Sequence, residues 1–138
     1  MNLETSTDIH KLFQNLIQSL ESALPLHAVI LFGSRARETS RPDSDYDVVV
    51  IADFTGSYLS RVRFVLQFRP RVPLDIFCYT PREFEDLFNT YHLTAMDAIE
   101  YGIVLFGEDF IAPYKMRYQE LIRRGLTRKK CVLIPPPS

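Results

Sequence analysis

The 138-residue chain predicts an α/β fold: a small mixed β-sheet with helices mainly on one of its faces. Three observations carry that expectation. Short β-rich apolar runs recur around residues 28–32, 48–52, 72–79 and 103–106, and stretches with apolar residues at helical spacing precede, separate and follow them. The first two runs are joined by too few residues for a full helical crossover, so they pair antiparallel. Hydrophobic residues make up 46% and charged residues 24%, ordinary for a globular domain with one core of moderate size and no room for a separate substrate-binding domain.

The first helix is expected from Ser6 to Leu24, with Ile9, Leu12, Phe13, Leu16, Ile17 and Leu20 on one stripe. Ser6 or Thr7 can cap it, Asp8 lies in its first turn, and Pro25 ends it. Ala28 to Phe32 then forms a strand that runs into Gly33-Ser34 and a short helix at 34–38. Val48 to Ala52 is the second strand. Ser57 caps a helix over 58–68 with Leu59, Val62, Val65, Leu66 and Phe68 on its apolar side. Pro70 and Pro73 lead into a third strand, Val72 to Tyr79. Thr80-Pro81 opens the next helix as N-cap and first-turn proline. A helix from Leu93 to Tyr101, a glycine at 102 and a strand at 103–106 follow. The last amphipathic stretch covers Tyr114 to Arg124, which sets a domain over 1–125 and leaves 126–138 as a basic, Pro-rich irregular tail.

One stretch carries chemistry. Gly33-Ser34 closes the first strand, and after ten intervening residues Asp45-Tyr46-Asp47 opens the second. A glycine at a strand-to-helix turn lets the backbone approach a ligand, and the N–H groups that follow can receive a phosphate. Alternation along a strand puts Asp45 and Asp47 on one side, about 6–7 Å apart along the chain. Two carboxylates so placed repel each other unless hard cations such as Mg²⁺ sit between them. A phosphate cradle beside a metal-binding pair points to phosphoryl or nucleotidyl transfer. Asp75 stands among the apolar residues of the third strand, on the side of Pro73 and Phe77, where a lone acid is costly unless paired or metal-bound.

Gly33-Ser34 followed at this spacing by Asp45-x-Asp47, with a strand on either side, resembles the signature of the DNA polymerase β-like nucleotidyltransferase superfamily. Within it the chain resembles the minimal nucleotidyltransferases, or MNT domains, whose partners carry HEPN domains. The resemblance is best over residues 28–51 and extends to about 107. It implies a nucleotidyltransferase fold and attack of a hydroxyl on the α-phosphate of ATP. It also implies two Mg²⁺ ions held by Asp45 and Asp47, with Asp75 as a third carboxylate that completes a metal site and helps deprotonate the hydroxyl. Gly33 and Ser34 would cradle the β- and γ-phosphates, and Arg35 or Arg37 would neutralise charge. The implied acceptor is a tyrosine of a HEPN-type ribonuclease toxin, the chain being its antitoxin. Two alternatives stay open: an antitoxin that only binds and masks its toxin, and a small-molecule transferase acting on an aminoglycoside-like acceptor.

The remaining features exclude more than they assign. A net charge of −1 argues against a protein built to hold nucleic acid, and the basic groups at Arg61–Arg71 and Lys115–Lys130 read as solvated surface. Cys78 and Cys131 give neither a disulfide framework nor metal-ligand spacing and read as ordinary thiols. His10 and His27 lack ligand partners at metal spacing and read as structural. No apolar run approaches the roughly 18 residues of a membrane span, and no signal-like leader opens the chain, so the cytoplasm is the expected location.

Overall fold

The computed structural model describes residues 6–37, 41, 44–129 and 132–137. Its main sheet consists of β1 (Leu26–Phe32), β2 (Tyr46–Ala52), β3 (Leu74–Tyr79) and β4 (Ile103–Phe106), in the order β3-β2-β1-β4. β1 is antiparallel to both β2 and β4, as its short connection to β2 requires, whereas β3 lies parallel to β2. A parallel neighbour needs a crossover, and α2 (Tyr58–Leu66) supplies it. The mixed sheet of the α/β expectation is therefore present.

The distribution of helices differs from expectation. They cover both faces, not mainly one. The first helix, α1 (Ser6–Ala23), and α2 pack on the face that carries Val29, Leu31, Val48 and Val50. Three further helices, α3 (Pro81–Asn89), α4 (Leu93–Tyr101) and α5 (Glu108–Arg123), pack on the face that carries Ala28, Ile30, Phe32, Val49 and Ile51. The reason lies in the strands. Every residue from Val48 to Ile51 is fully buried, so β2 has no solvent side, and its unbroken apolar run is the pattern of a strand covered twice.

Local chemistry sets the helix ends. Thr80 Oγ1 accepts from the Glu83 N–H at 3.2 Å while Glu83 Oε1 accepts from the Thr80 N–H at 2.7 Å, a reciprocal capping box ahead of Pro81. Ser57 Oγ accepts from Ser60 N–H at 3.2 Å and caps α2. The start of α5 is a correction: it begins at Glu108, not near Tyr114, and carries Pro113 inside it. Pro113 is exposed, so the one hydrogen bond it forgoes is lost on the water side. Gly107, at φ 88°, allows the immediate turn from β4 into α5, and a Cβ there would strike the His27 carbonyl.

Among the described residues after 125 the chain is also not irregular throughout. Gly125 and Leu126 close α5 in a Schellman motif, with Gly125 N–H donating to the Ile122 carbonyl at 3.1 Å and Leu126 N–H to the Leu121 carbonyl at 2.9 Å. Leu126 is 3% exposed and belongs to the core. Beyond it β5 (Thr127–Lys129) and β6 (Val132–Ile134) pair antiparallel, and Leu133 packs against the same core. Three-residue strands are too short to leave a periodic signal, and Arg128 of β5 pairs with Asp97 and Glu100 of α4. Cys131 and Lys130 lie outside the described residues, as does Glu38 of the helix expected at 34–38. No helix among the described residues is long and apolar enough to cross a membrane.

Candidate active site

Gly33 ends β1 at φ +73°, in the region that disfavours side chains, and leads into a single 3-10 turn, Gly33–Arg35, rather than a longer helix. The N–H groups of Ala36 and Arg37 both donate to the Gly33 carbonyl at 3.2 Å. Glycine is required here twice over, because a Cβ would collide with the Asp47 carboxylate. The phosphate-type turn and the acid are thus in direct contact.

Asp47 is the second residue of β2. It stands opposite Phe32 across the antiparallel pair and in register with Asp75 across the parallel one. Residues in register share a face, and neighbouring strands lie about 4.8 Å apart. Asp75 is exposed at the rim, with Phe77 of the same face packed inward. Asp45 precedes β2 by one residue and is exposed. Asp47 is half-buried, and its pKa rises from 3.8 to about 6. Burial is the largest cause, followed by the negative charges of Asp75 and Asp45 and a hydrogen bond with Asp75. Three carboxylates from two segments, the start of β2 and the start of β3, therefore interact at one end of the sheet, beside Gly33 and Ser34.

The two arginines of the turn have protein partners. Arg35 donates from Nε and Nη2 to the Ser44 carbonyl at 3.2 and 2.9 Å, and its guanidinium lies 4.4 Å from the centre of the Tyr46 ring. Arg37 stacks 3.8 Å from the centre of the Tyr101 ring, with Nη2 3.9 Å from Asp97 Oδ1. Ser44 closes a turn with Arg41: its N–H donates to the Arg41 carbonyl at 2.9 Å, and its Oγ accepts from Arg41 N–H at 2.8 Å.

Among the described residues, no three His, Cys, Asp or Glu side chains converge tightly enough to enclose a metal unaided. Mg²⁺ asks for less, since one or two carboxylates together with substrate phosphates and waters complete its octahedron. The donor set fits such an ion. It is all oxygen and anionic, and burial first, then the charges of Asp75 and Asp45, drive Asp47 towards its protonated form, so a cation would relieve it.

Tyr46 is the residue that motif reading passed over. Alternation places it on the opposite face from Asp47, where it is 4% exposed and meets Phe13 of α1 edge-on at 6.0 Å. Its N–H donates to the Pro73 carbonyl at 2.9 Å, which ties the start of β2 to the segment entering β3. Its position between two acids was the only available signal.

A family described as "Polymerase beta, Nucleotidyltransferase" matches residues 14–111, more than half of the chain. The chain belongs to this nucleotidyltransferase family. Its matched region runs from α1 into α5 and includes Gly33, Ser34 and all three aspartates. Among solved structures, this nucleotidyltransferase is similar to a candidate nucleotidyltransferase from Sulfolobus solfataricus, with 19% identity over 75% of this chain and 85% of the other, at a TM-score of 0.54. A toxin–antitoxin structure with AMP-PNP matches at 20% identity, 80% and 89% coverage, and a TM-score of 0.47. A tri-AMPylated Shewanella oneidensis HEPN toxin in complex with MNT antitoxin matches at 19% identity, 83% and 90% coverage, and a TM-score of 0.43. No curated protein sequence matches the chain significantly.

Proposed function

We propose that the chain is a Mg²⁺-dependent nucleotidyltransferase of the MNT type that transfers AMP from ATP to a tyrosine hydroxyl of a HEPN-type toxin and thereby acts as its antitoxin. One observation carries the catalytic part: Asp47 lies in register with Asp75 and in contact with the Gly33 turn. Acid and phosphate turn thus share one site in a chain of the nucleotidyltransferase family. The choice of acceptor rests on the resemblance of the Gly33-to-Asp47 stretch to minimal nucleotidyltransferases.

In this reading Asp45 and Asp47 hold the metal-bound triphosphate, and Gly33 and Ser34 receive its β- and γ-phosphates. Bound Mg²⁺ neutralises the triphosphate and polarises the α-phosphate. Asp75, at the exposed rim, takes the proton of the acceptor hydroxyl. The hydroxyl oxygen then bonds to the α-phosphorus, the bond to the bridging oxygen of the β-phosphate breaks, and pyrophosphate leaves. A protein acceptor suits the exposure of Asp45 and Asp75.

The test is to incubate the purified chain with ATP labelled at the α-phosphate, Mg²⁺ and candidate HEPN-type partner proteins. Label should pass to the partner and vanish with Asp47→Asn. Asp75→Asn should hold Mg²⁺-ATP within a few-fold yet lose transfer by about a hundredfold or more, the scale of a lost general base. A stable complex with no label transferred from any nucleoside triphosphate would replace this reading with the masking antitoxin.

A further inference from the structure

We propose that Arg35 is a positioning residue for Asp45, acting on the peptide to either side of that carboxylate rather than on the triphosphate. The significance of Asp45 rests on the nucleotidyl-transfer reading; the positioning itself is a matter of the geometry of Arg35.

Asp47 and Asp75 are held by strand ladders, but Asp45 lies one residue before β2 begins and has no ladder of its own. Its backbone must be fixed by something else. Arg35 engages both neighbours of Asp45 together. Two of its N–H groups converge on the Ser44 carbonyl, and the central carbon of the same guanidinium lies over the Tyr46 ring, 4.4 Å from its centre. The forked, planar arginine suits this double task, because a carbonyl can take two donors in the guanidinium plane while the aromatic ring meets its face.

The clamp is anchored at both ends. Tyr46 is buried against Phe13, and its N–H is bound by the Pro73 carbonyl, two residues before Asp75. On the other side, Ser44 is tied to Arg41 by two hydrogen bonds. Arg35 itself follows Gly33-Ser34 directly, so one side chain ties the phosphate-type turn to the segment bearing Asp45. The Nε and Nη2 donors of Arg35 are thus directed at the protein, on the Ser44 carbonyl.

The two roles separate in Arg35→Lys. Lysine keeps the positive charge, which a phosphate partner needs, but loses the fork and the flat stacking face. If Arg35 positions Asp45, Arg35→Lys and Arg35→Gln should weaken binding of Mn²⁺ alone, without nucleotide, by roughly 10- to 100-fold, as other outer-shell losses do. Lysine should give no rescue over glutamine. In the metal-free proteins, amide exchange at Tyr46 should quicken at least about tenfold while Val48 to Val50 exchange as in the parent. Unchanged Mn²⁺ binding with weaker ATP binding in the glutamine variant, restored by lysine, would overturn the proposal in favour of a phosphate ligand. Exchange that quickens throughout β2, or not at all, would also overturn it. A parent that binds no Mn²⁺ would defeat the metal reading of the site, and the exchange at Tyr46 would then decide the clamp alone.

Discussion

Asp47 is where burial and charge meet most directly. In the metal-free protein its folded pKa of about 6 lies above the ordinary 3.8, so the folded chain holds the proton more tightly than the unfolded one. That contribution to stability is full below pH 3.8 and is lost as pH rises through 6. Asp47→Asn does not titrate. Its melting temperature, relative to the parent, should climb between pH 4 and pH 7 without metal, and a flat difference over that range would show that Asp47 is not under strain. Divalent-ion binding should strengthen over the same window and release a proton, which calorimetry in two buffers would detect. Gly33→Ala makes a sharper demand. It pays roughly 1–2 kcal/mol for a side chain at positive φ, and its Cβ must displace the Asp47 carboxylate. We expect a lower melting temperature together with weaker Mn²⁺ binding by calorimetry; normal Mn²⁺ binding would separate the turn from the acid.

The elements are fastened to one another by acids and bases far apart in sequence. Arg117 of α5 donates to Glu85 of α3 at 2.7 and 2.8 Å, and Tyr114 donates to the same carboxylate at 2.9 Å. The Arg117 hydrogen bonds hold the Glu85 pKa down at about 2, and Tyr114 and Asn89 add to the effect. Here the folded pKa is the lower one, so the stabilisation is present above the ordinary 4.5 and fades as pH falls through about 2. Glu85→Gln should therefore destabilise the protein at neutral pH and flatten its acid melting curve between pH 4.5 and 2. An unaltered acid limb would assign acid unfolding to other groups. The same pairing explains the basic run of α5 and the hairpin. Lys115 pairs with Glu108 at 3.6 Å, Arg123 with Glu120, and Arg128 with Asp97 and Glu100 at 2.5 and 3.3 Å. A cluster that reads as strongly cationic in sequence is largely matched by acids from α3, α4 and α5 itself. Burial pushes the Cys78 thiol up to about 12, in keeping with an ordinary core cysteine, and His27 is tied to Asp53 at 2.8 Å.

At the scale of the whole molecule, the segment after α5 belongs to the core. Leu126→Ala should cost about 2–5 kcal/mol, as for other buried leucines, and urea melts would measure it. A loss under 0.5 kcal/mol, the scale of surface changes, would return residues 126–138 to the status of a tail. What the sequence determines by itself is local. The unbroken apolar runs of β1 and β2, the Thr80-Pro81 cap, the α4 span and the spacing from Gly33-Ser34 to Asp45-x-Asp47 all follow from side-chain alternation, turn chemistry and chain length. Tertiary structure decides the rest. The sequence alone puts the helices mainly on one face, and their division between both faces depends on the order β3-β2-β1-β4, which no single segment encodes. The register of Asp47 with Asp75, the Arg117–Glu85 pairing and the seating of β5 and β6 join residues brought together only when separate elements dock. Arg35 marks the boundary between the two: its sequence position suggests a phosphate, but its guanidinium lies on the Ser44 carbonyl and the Tyr46 ring, because the residues entering β2 dock against the turn that ends β1.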